Sequence, residues 1–299
     1  MSRQPIPLLL NPAAGRGRAA GHADAIVAIL ESSGFPIDLL LSKGVGDLER
    51  LASEQASSGT SRMIVAGGDG SVHEAVNGIL KVGGETRLGI IPIGTGNDFA
   101  KASDTPLDWK SAATELTSRM RDNAPVRKVD AGRMNDRFFA NGVGIGFDAK
   151  INRIARKYHW PIGDLIYLFA VFEGLWDGVI TPHVRMTYGD VVHEGPITLA
   201  NISNGPWVGG MFHIAPMASI NDGQLDLVVA EPVNRRRILA LLPKLIRGTH
   251  IDAPEILTQR IRQFRLIADA PVPSHIDGET QPLQTGFEIE ILDQALSLL

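Results

Sequence analysis

Short apolar runs that stop at glycine-rich turns recur through the first hundred residues, and this repetition leaves the chain few folds to choose from. The turns are NPAAGRGRAAG (11–21), GGDGS (67–71) and PIGTGNDFAK (92–101). PIPLLL (5–10), FPIDLLLS (35–42), RMIVAG (62–67) and RLGIIPIG (87–94) read as strands. AAGHADAIVAILESSG, ending at Gly34, GDLERLASEQASSG and residues 72–81 read as helices. Apolar strands separated by helices predict a mainly parallel sheet covered on both faces. Repeated βα units predict an open α/β domain whose ligands meet the carboxyl ends of the strands, where the glycine-rich turns lie.

From about Val126 the texture changes. FFANGVGIGFDA, HVRMTYGDVVHEG, ITLANIS, QLDLVVAEP, RIRQFRLIAD and FEIEIL are strand-like and separated by Gly, Asn, Asp and Pro turns. Helical patches at 163–176 and 234–247 interrupt them. The expectation is a β-rich second domain over 128–285, built as a sandwich, after an α/β domain over 1–127.

Composition narrows the function classes. A net charge of −4 over 299 residues lacks the basic footprint of a nucleic-acid binder. With no cysteine, neither disulfides nor thiolate metal sites can form. LIYLFAVF (165–172) is the longest charge-free apolar run beyond the N-terminus, far short of the roughly 20 residues of a membrane-spanning helix. The expected location is the cytoplasm, with peripheral association at the inner membrane surface left open.

Glycine lets backbone come within hydrogen-bond reach of a ligand. A helix beginning near Val72 would aim its free N–H groups and positive dipole end at the preceding turn, a natural phosphate site. Asp69 in that turn would repel a phosphate unless it holds a cation, which implies Mg²⁺ or its waters. Taken alone, GGDG could equally be a tight turn. No G-x-x-x-x-G-K-[ST] occurs, and GRGRAAG misses the dinucleotide spacing.

NPAAGRGRA, GGDGSVHEAVNG and GTGNDFAK resemble, in order, the three N-terminal motifs of the diacylglycerol-kinase-like lipid kinases, which include sphingosine and ceramide kinases and soluble bacterial enzymes. NGVGIGFDA (141–149), GGMFHIAPMASINDGQLDLV (209–228) and HIDGE (275–279) continue the likeness over nearly the whole chain. The resemblance implies an N-terminal nucleotide-binding α/β domain, a C-terminal β-sandwich for the lipid, and an active site in the cleft between them. It also implies that the C-terminal strand returns to the first domain, adding residues 286–299.

By this resemblance Gly67, Gly68, Asp69, Gly70, Ser71, Val72, His73, Glu74 and Thr95 line ATP. Ser42 matches a nucleotide-binding threonine, Asn11 fixes the first loop, and Asn97 and Asp98 support the phosphate network. Glu279 matches the general base that takes the acceptor's hydroxyl proton, and Asp277 joins Asp69, Asp98 and Asp130 around Mg²⁺. Locally, Asp-Gly within HIDGE is also a plain hairpin signal. Ser219, Asp222 and Gln224 match a loop that binds a second, structural Mg²⁺, with a plain turn as the alternative. His73 departs from the asparagine of many bacterial members; it either donates to a phosphate or packs in the first helical turn.

The implied partner is a lipid substrate at a membrane surface, without nucleic acid; a homodimer is compatible with the sequence. The apolar helix at 164–176 is either core or an acyl-chain wall. The helix at 234–248 is either interfacial or core with a solvated basic edge. An NAD kinase shares the GGDG loop, and a non-catalytic nucleotide- or lipid-binding regulator shares the fold; DGE and GTGNDFAK favour the lipid kinase.

Overall fold

Every residue of β1 (Ile6–Leu10) is buried, as its unbroken apolar sequence requires. The computed structural model describes residues 4–83, 85–158 and 165–299. Beyond β1 the chain runs through α1 (Arg18–Glu31), β2 (Ile37–Leu41), α2 (Asp47–Ser57), β3 (Arg62–Gly67), α3 (Asp69–Lys81), β4 (Arg87–Pro92), α4 (Asp98–Ala102) and α5 (Trp109–Arg121). The strands lie in the order β2-β1-β3-β4, all parallel. A core of Leu8, Leu10, Ile26, Leu30, Ile64, Ile91 and Leu116 joins this sheet to α1 and α5. Burying each such side chain contributes roughly 2 kcal/mol.

The helix expected from Val72 begins three residues earlier, at Asp69. Gly68 is the extended N-cap residue, and its carbonyl accepts from the N–H groups of Ser71 and Val72. Asp-Gly-Ser is therefore the first helical turn; turn chemistry in the sequence masked a helix start. One face of α3 meets α2 closely: a Cβ on Gly78 would lie 2.5 Å from the Glu49 carbonyl oxygen and 2.6 Å from the Ala52 Cβ.

The chain divides into two compact units, Met1–Asp130 with Gln294–Leu299, and Ala131–Asp293. The divisions fall three residues after the first expected boundary and eight after the second, within β5 (Arg127–Met134) and the last strand. The second unit contains β6 (Arg137–Phe139), β7 (Gly142–Gly146), α6 (Phe147–Ala155), α7 (Leu165–Asp177), β8 (His183–Tyr188), β9 (Val191–Pro196), β10 (Leu199–Ser203) and β11 (Leu225–Ala230). It continues with α8 (Arg235–Arg247), β12 (Ile256–Ile261), β13 (Gln263–Val272), β14 (Ser274–Ile276) and β15 (Glu279–Thr280), and the chain ends with β16 (Gln284–Leu298). Residues 163 and 164 of the expected helical patch lie outside the described residues; α7 follows directly.

Two sheets form this sandwich. β12-β11-β10-β7-β14-β15 make one, and β13 joins β16 and β8, with β9 beyond, in the other. Alternating side chains from both sheets, among them Val143, Ile145, Ile202, Leu227, Phe264, Leu266 and Phe287, close one core. The strand-like stretch FFANGVGIGFDA runs three residues into α6, which is helical: Phe147, Ile151 and Ile154 recur at helical spacing and are buried.

β16 ends in the first unit, where Ser297 and Leu298 pair in parallel with Arg87 and Leu88. Its backbone turns left-handed at Gln294, φ 52°. The fully buried Asp130 accepts the Gln294 N–H at 2.7 Å.

The α2–α3 contact yields a stability test. Gly78→Ala overpacks backbone that has no rotamer to yield and is expected to cost about 1–3 kcal/mol. Urea unfolding should show a lower midpoint with unchanged slope.

Candidate active site

In the first unit the three glycine-rich loops fit against one another. A Cβ on Gly94 would sit 2.5 Å from the Gly68 Cα, and one on Gly67 would sit 2.3 Å from the Ser71 hydroxyl oxygen. Gly15 of the first loop is equally tight against the Ile93 carbonyl oxygen, at 2.5 Å. Glycine at 94 and 15 thus lets neighbouring loops touch, and at 67 it lets the second loop close on its own Ser71, beyond the approach to a ligand that the sequence suggested.

Polar contacts complete the assembly. Asn11 folds its own loop by accepting the Ala13 N–H and donates to the Ser71 hydroxyl at 3.3 Å. The Asp69 carboxylate accepts the Asp98 N–H at 2.6 Å, joining the second loop to the third. Asn97 staples the third loop by both accepting from and donating to the Gly94 backbone. Thr95 is exposed at that loop's tip, and Ser42, buried, follows β2 with its N–H on the Leu10 carbonyl.

These contacts leave the N-terminus of α3 without a side-chain cap. An uncapped helix start surrounded by close-packed loops presents N–H groups and the positive dipole end, the donor set for a phosphate. The residues present therefore fit the phosphates of a nucleotide.

Two neighbours make contacts of their own. Glu74 accepts from the N–H groups of Gly46, Leu48 and Glu49, capping α2, which has no side-chain cap of its own. Lining a nucleotide would be a second role for it. His73 is buried and Asn77 donates to its carbonyl, in keeping with the packing alternative.

Of the acids expected around Mg²⁺, Asp69, Asp98 and Asp130 belong to the first unit and Asp277 to the second. Asp69 and Asp98 meet, with Lys101 Nζ 3.8 Å from Asp98. Asp130 serves the bend of β16. Among the described residues no group of three or more His, Cys, Asp or Glu side chains is arranged to hold a metal. Mg²⁺ with a nucleotide needs only one or two carboxylates, the remaining ligands being phosphate and water oxygens, so Asp69 still suits the ion.

In the second unit HIDGE is a hairpin. β14 and β15 pair across Asp277 and Gly278, both with positive φ, the geometry of a two-residue type I′ turn. The local reading and the functional one therefore coexist. Asp277 clamps the turn: one carboxylate oxygen accepts from Asn141 and Gly142, at 2.8 and 2.9 Å, and the other from Ala140 at 3.0 Å. Buried His275 accepts the Gly278 N–H through Nδ1, which leaves Nε2 facing Asp148 at 3.7 Å.

Glu279 pairs with Arg156 at 2.8 Å, and the same guanidinium donates to the Gly278 carbonyl. Burial works against the Arg156 charge, and the hydrogen bond and charge of Glu279 outweigh it, raising its pKa. Asp148, Asn152 and Arg156 all come from α6 or its end, and Asn152 accepts from Thr280. No helix is expected here from the sequence, which hides this support; the helical apolar spacing of Phe147, Ile151 and Ile154 is the available signal.

The 219–224 loop is closed by its own contacts. Asp222 accepts the Gln224 N–H and lies 3.6 Å from Arg260, while Ser219 donates to Asn221. A metal there would compete with the arginine for the loop's one acid.

Comparison with known proteins agrees with this arrangement. Residues 5–134 match the model of the diacylglycerol kinase catalytic domain, and residues 141–299 that of the YegS C-terminal NAD kinase beta sandwich-like domain. A diacylglycerol kinase of Bacillus subtilis (strain 168) is 28% identical over 275 residues, 91% of this chain and 88% of its own. One from Mycobacterium tuberculosis (strain ATCC 25618 / H37Rv) is 29% identical over 295 residues, 93% and 94% of the two chains. A crystal structure from Bacillus anthracis str. Sterne, of a protein provisionally named a diacylglycerol kinase, is 26% identical with TM-score 0.81, covering 100% of this chain and 95% of that one.

The clamp and the proposed base separate in a stability test. Asp277→Ala strands three backbone donors and should cost about 3 kcal/mol or more in urea unfolding. Glu279→Gln loosens only a half-exposed ion pair and should cost less than about 1 kcal/mol. With a catalytic-domain match ahead of a matching sandwich domain, this chain belongs to the diacylglycerol-kinase-like family of lipid kinases.

Proposed function

We propose that the chain transfers the γ-phosphate of ATP, with Mg²⁺, to a hydroxyl of a diacylglycerol-like lipid or a related long-chain alcohol. The observation that carries this reading is the uncapped start of α3 among three loops locked by glycine contacts. The names of the relatives support the acceptor class. The backbone at Gly68 to Gly70, ahead of the first bonds of α3 at Ser71 and Val72, faces the phosphates, Asn11 and Asn97 hold the flanking loops, and Asp69 is the acid suited to an ion beside them. When bound, Mg²⁺ would neutralise charge on the phosphates. The acceptor oxygen attacks the γ-phosphorus, its proton passes to the Glu279 carboxylate, and ADP leaves. Asp277 and His275 fix the hairpin that carries that carboxylate.

Action on a bilayer lipid fits a chain in which no described helix is long and apolar enough to cross a membrane. Peripheral work at the cytoplasmic face is part of this reading. A second Mg²⁺ at Ser219, Asp222 and Gln224 is not needed for it.

The NAD-kinase-like description of the sandwich domain favours one rival acceptor. Incubating the protein with labelled ATP, a total lipid extract and, separately, NAD distinguishes them. Label in a lipid phosphate is expected, and label in NAD alone would overturn the reading. Glu279→Ala should retain ATP affinity within about threefold while turnover falls by about 10²–10⁴, the usual contribution of a general base. Turnover like that of the unsubstituted protein would remove Glu279 from the mechanism.

A further inference from the structure

α7 has two apolar faces. Ala170, Val171, Gly174 and Leu175 are buried, and the first two with Leu175 join a cluster containing Phe147, Ile151 and Phe212. On the other side Leu165, Phe169, Phe172 and Trp176 are 53%, 53%, 52% and 87% exposed. They recur at spacings of four, three and four residues, one narrow stripe along the helix. Half of two phenylalanines and a leucine, with most of a tryptophan, is roughly 400–500 Å² by ordinary side-chain areas. A patch of that size marks a docking surface.

Its neighbour indicates the chemistry of the partner. α8 packs Leu242 into the same cluster, with Ile238 and Leu245 against it. Arg235 reaches the end of α7: its guanidinium lies 3.9 Å from where a Gly178 Cβ would be. Arg235, Arg236, Lys244 and Arg247 are exposed, and none has an ion-pair partner among the described residues. Leu239 and Ile246 are exposed between them, at 41% and 37%. The acid ending α7, Asp177, is already paired with Lys150. In a chain of net charge −4, a cationic helix beside an aromatic stripe is a local reversal of sign.

We propose that the outer face of α7 and the basic edge of α8 together form a docking surface for an anionic lipid bilayer, the aromatic stripe entering the interface and the four cations meeting headgroup phosphates. A protein partner with an acidic rim would suit the cations, but a stripe of Leu and Phe whose one polar group is the indole N–H of Trp176, at its end, suits the boundary between acyl chains and headgroups better. The inference deepens the lipid-kinase reading by naming the surface that meets the membrane. It is tested without nucleotide or turnover, so the two readings fail separately.

The full chain would be sedimented with vesicles of phosphatidylcholine alone and of phosphatidylcholine with one third phosphatidylglycerol. Binding to the anionic vesicles, weakened by salt, is expected. Arg235→Gln/Arg236→Gln/Arg247→Gln and, separately, Phe169→Ser/Trp176→Ser should each lower partitioning about tenfold or more with unchanged melting curves. The charge variant touches no core residue and keeps the test sound if the apolar one unfolds. Failure of the unsubstituted chain to bind, or binding by either variant equal to that of the unsubstituted chain, would overturn the proposal. So would a dimer in analytical ultracentrifugation that Phe169→Ser/Trp176→Ser dissolves, which would assign the face to a second copy.

Discussion

The backbone contact between Gly68 and Gly94 is the constraint on which the first unit's site depends. A single methyl at Gly94 would fall 2.5 Å from the Gly68 Cα, so the loops after β3 and β4 take up their spacing only with glycine there. The Asp69 carboxylate then reaches the Asp98 N–H, and Asn11 reaches Ser71. Since Asp69 is itself the first residue of α3, the tie between loops also fixes the helix start. Gly68, the N-cap residue, has no side chain with which to cap that start, and the positive end of the helix faces the loops there, a setting suited to an anion.

The second unit orders Glu279, the proposed base, by a different device. A type I′ hairpin is normally a minimal turn, but here Asp277 accepts three N–H groups from the strand entry at 140–142, and His275 accepts one from Gly278. Arg156 holds Glu279 and the turn's backbone together. Supporting residues around a reactive group fix its position to within fractions of an ångström, which catalysis by positioning demands. α6 matters for this reason: it brings Asp148, Asn152 and Arg156 to one hairpin.

Much of this was legible in the sequence. The apolar runs ending in glycine predicted a parallel α/β unit, and the alternation after Val126 predicted the sandwich, because both patterns follow from which faces are buried. The motifs brought Asp69, Asp98, Asn11 and Asn97 into one place. Other features depend on partners distant in the chain. Nothing local announces that Glu74 caps α2, or that Asp130 meets an N–H 164 residues away at Gln294. The start of α3 was misplaced because Asp-Gly-Ser satisfies both turn and helix-start rules, and only tertiary packing chooses between them.

The central claim is that the first turn of α3 receives a nucleotide's phosphates. Hydrogen exchange of the backbone amides at residues 68–70, followed with and without ATP and Mg²⁺, tests it most directly. The account predicts slower exchange at those amides on nucleotide addition, ahead of any change in α5. Saturating nucleotide that protects other segments and leaves residues 68–70 unchanged would contradict it.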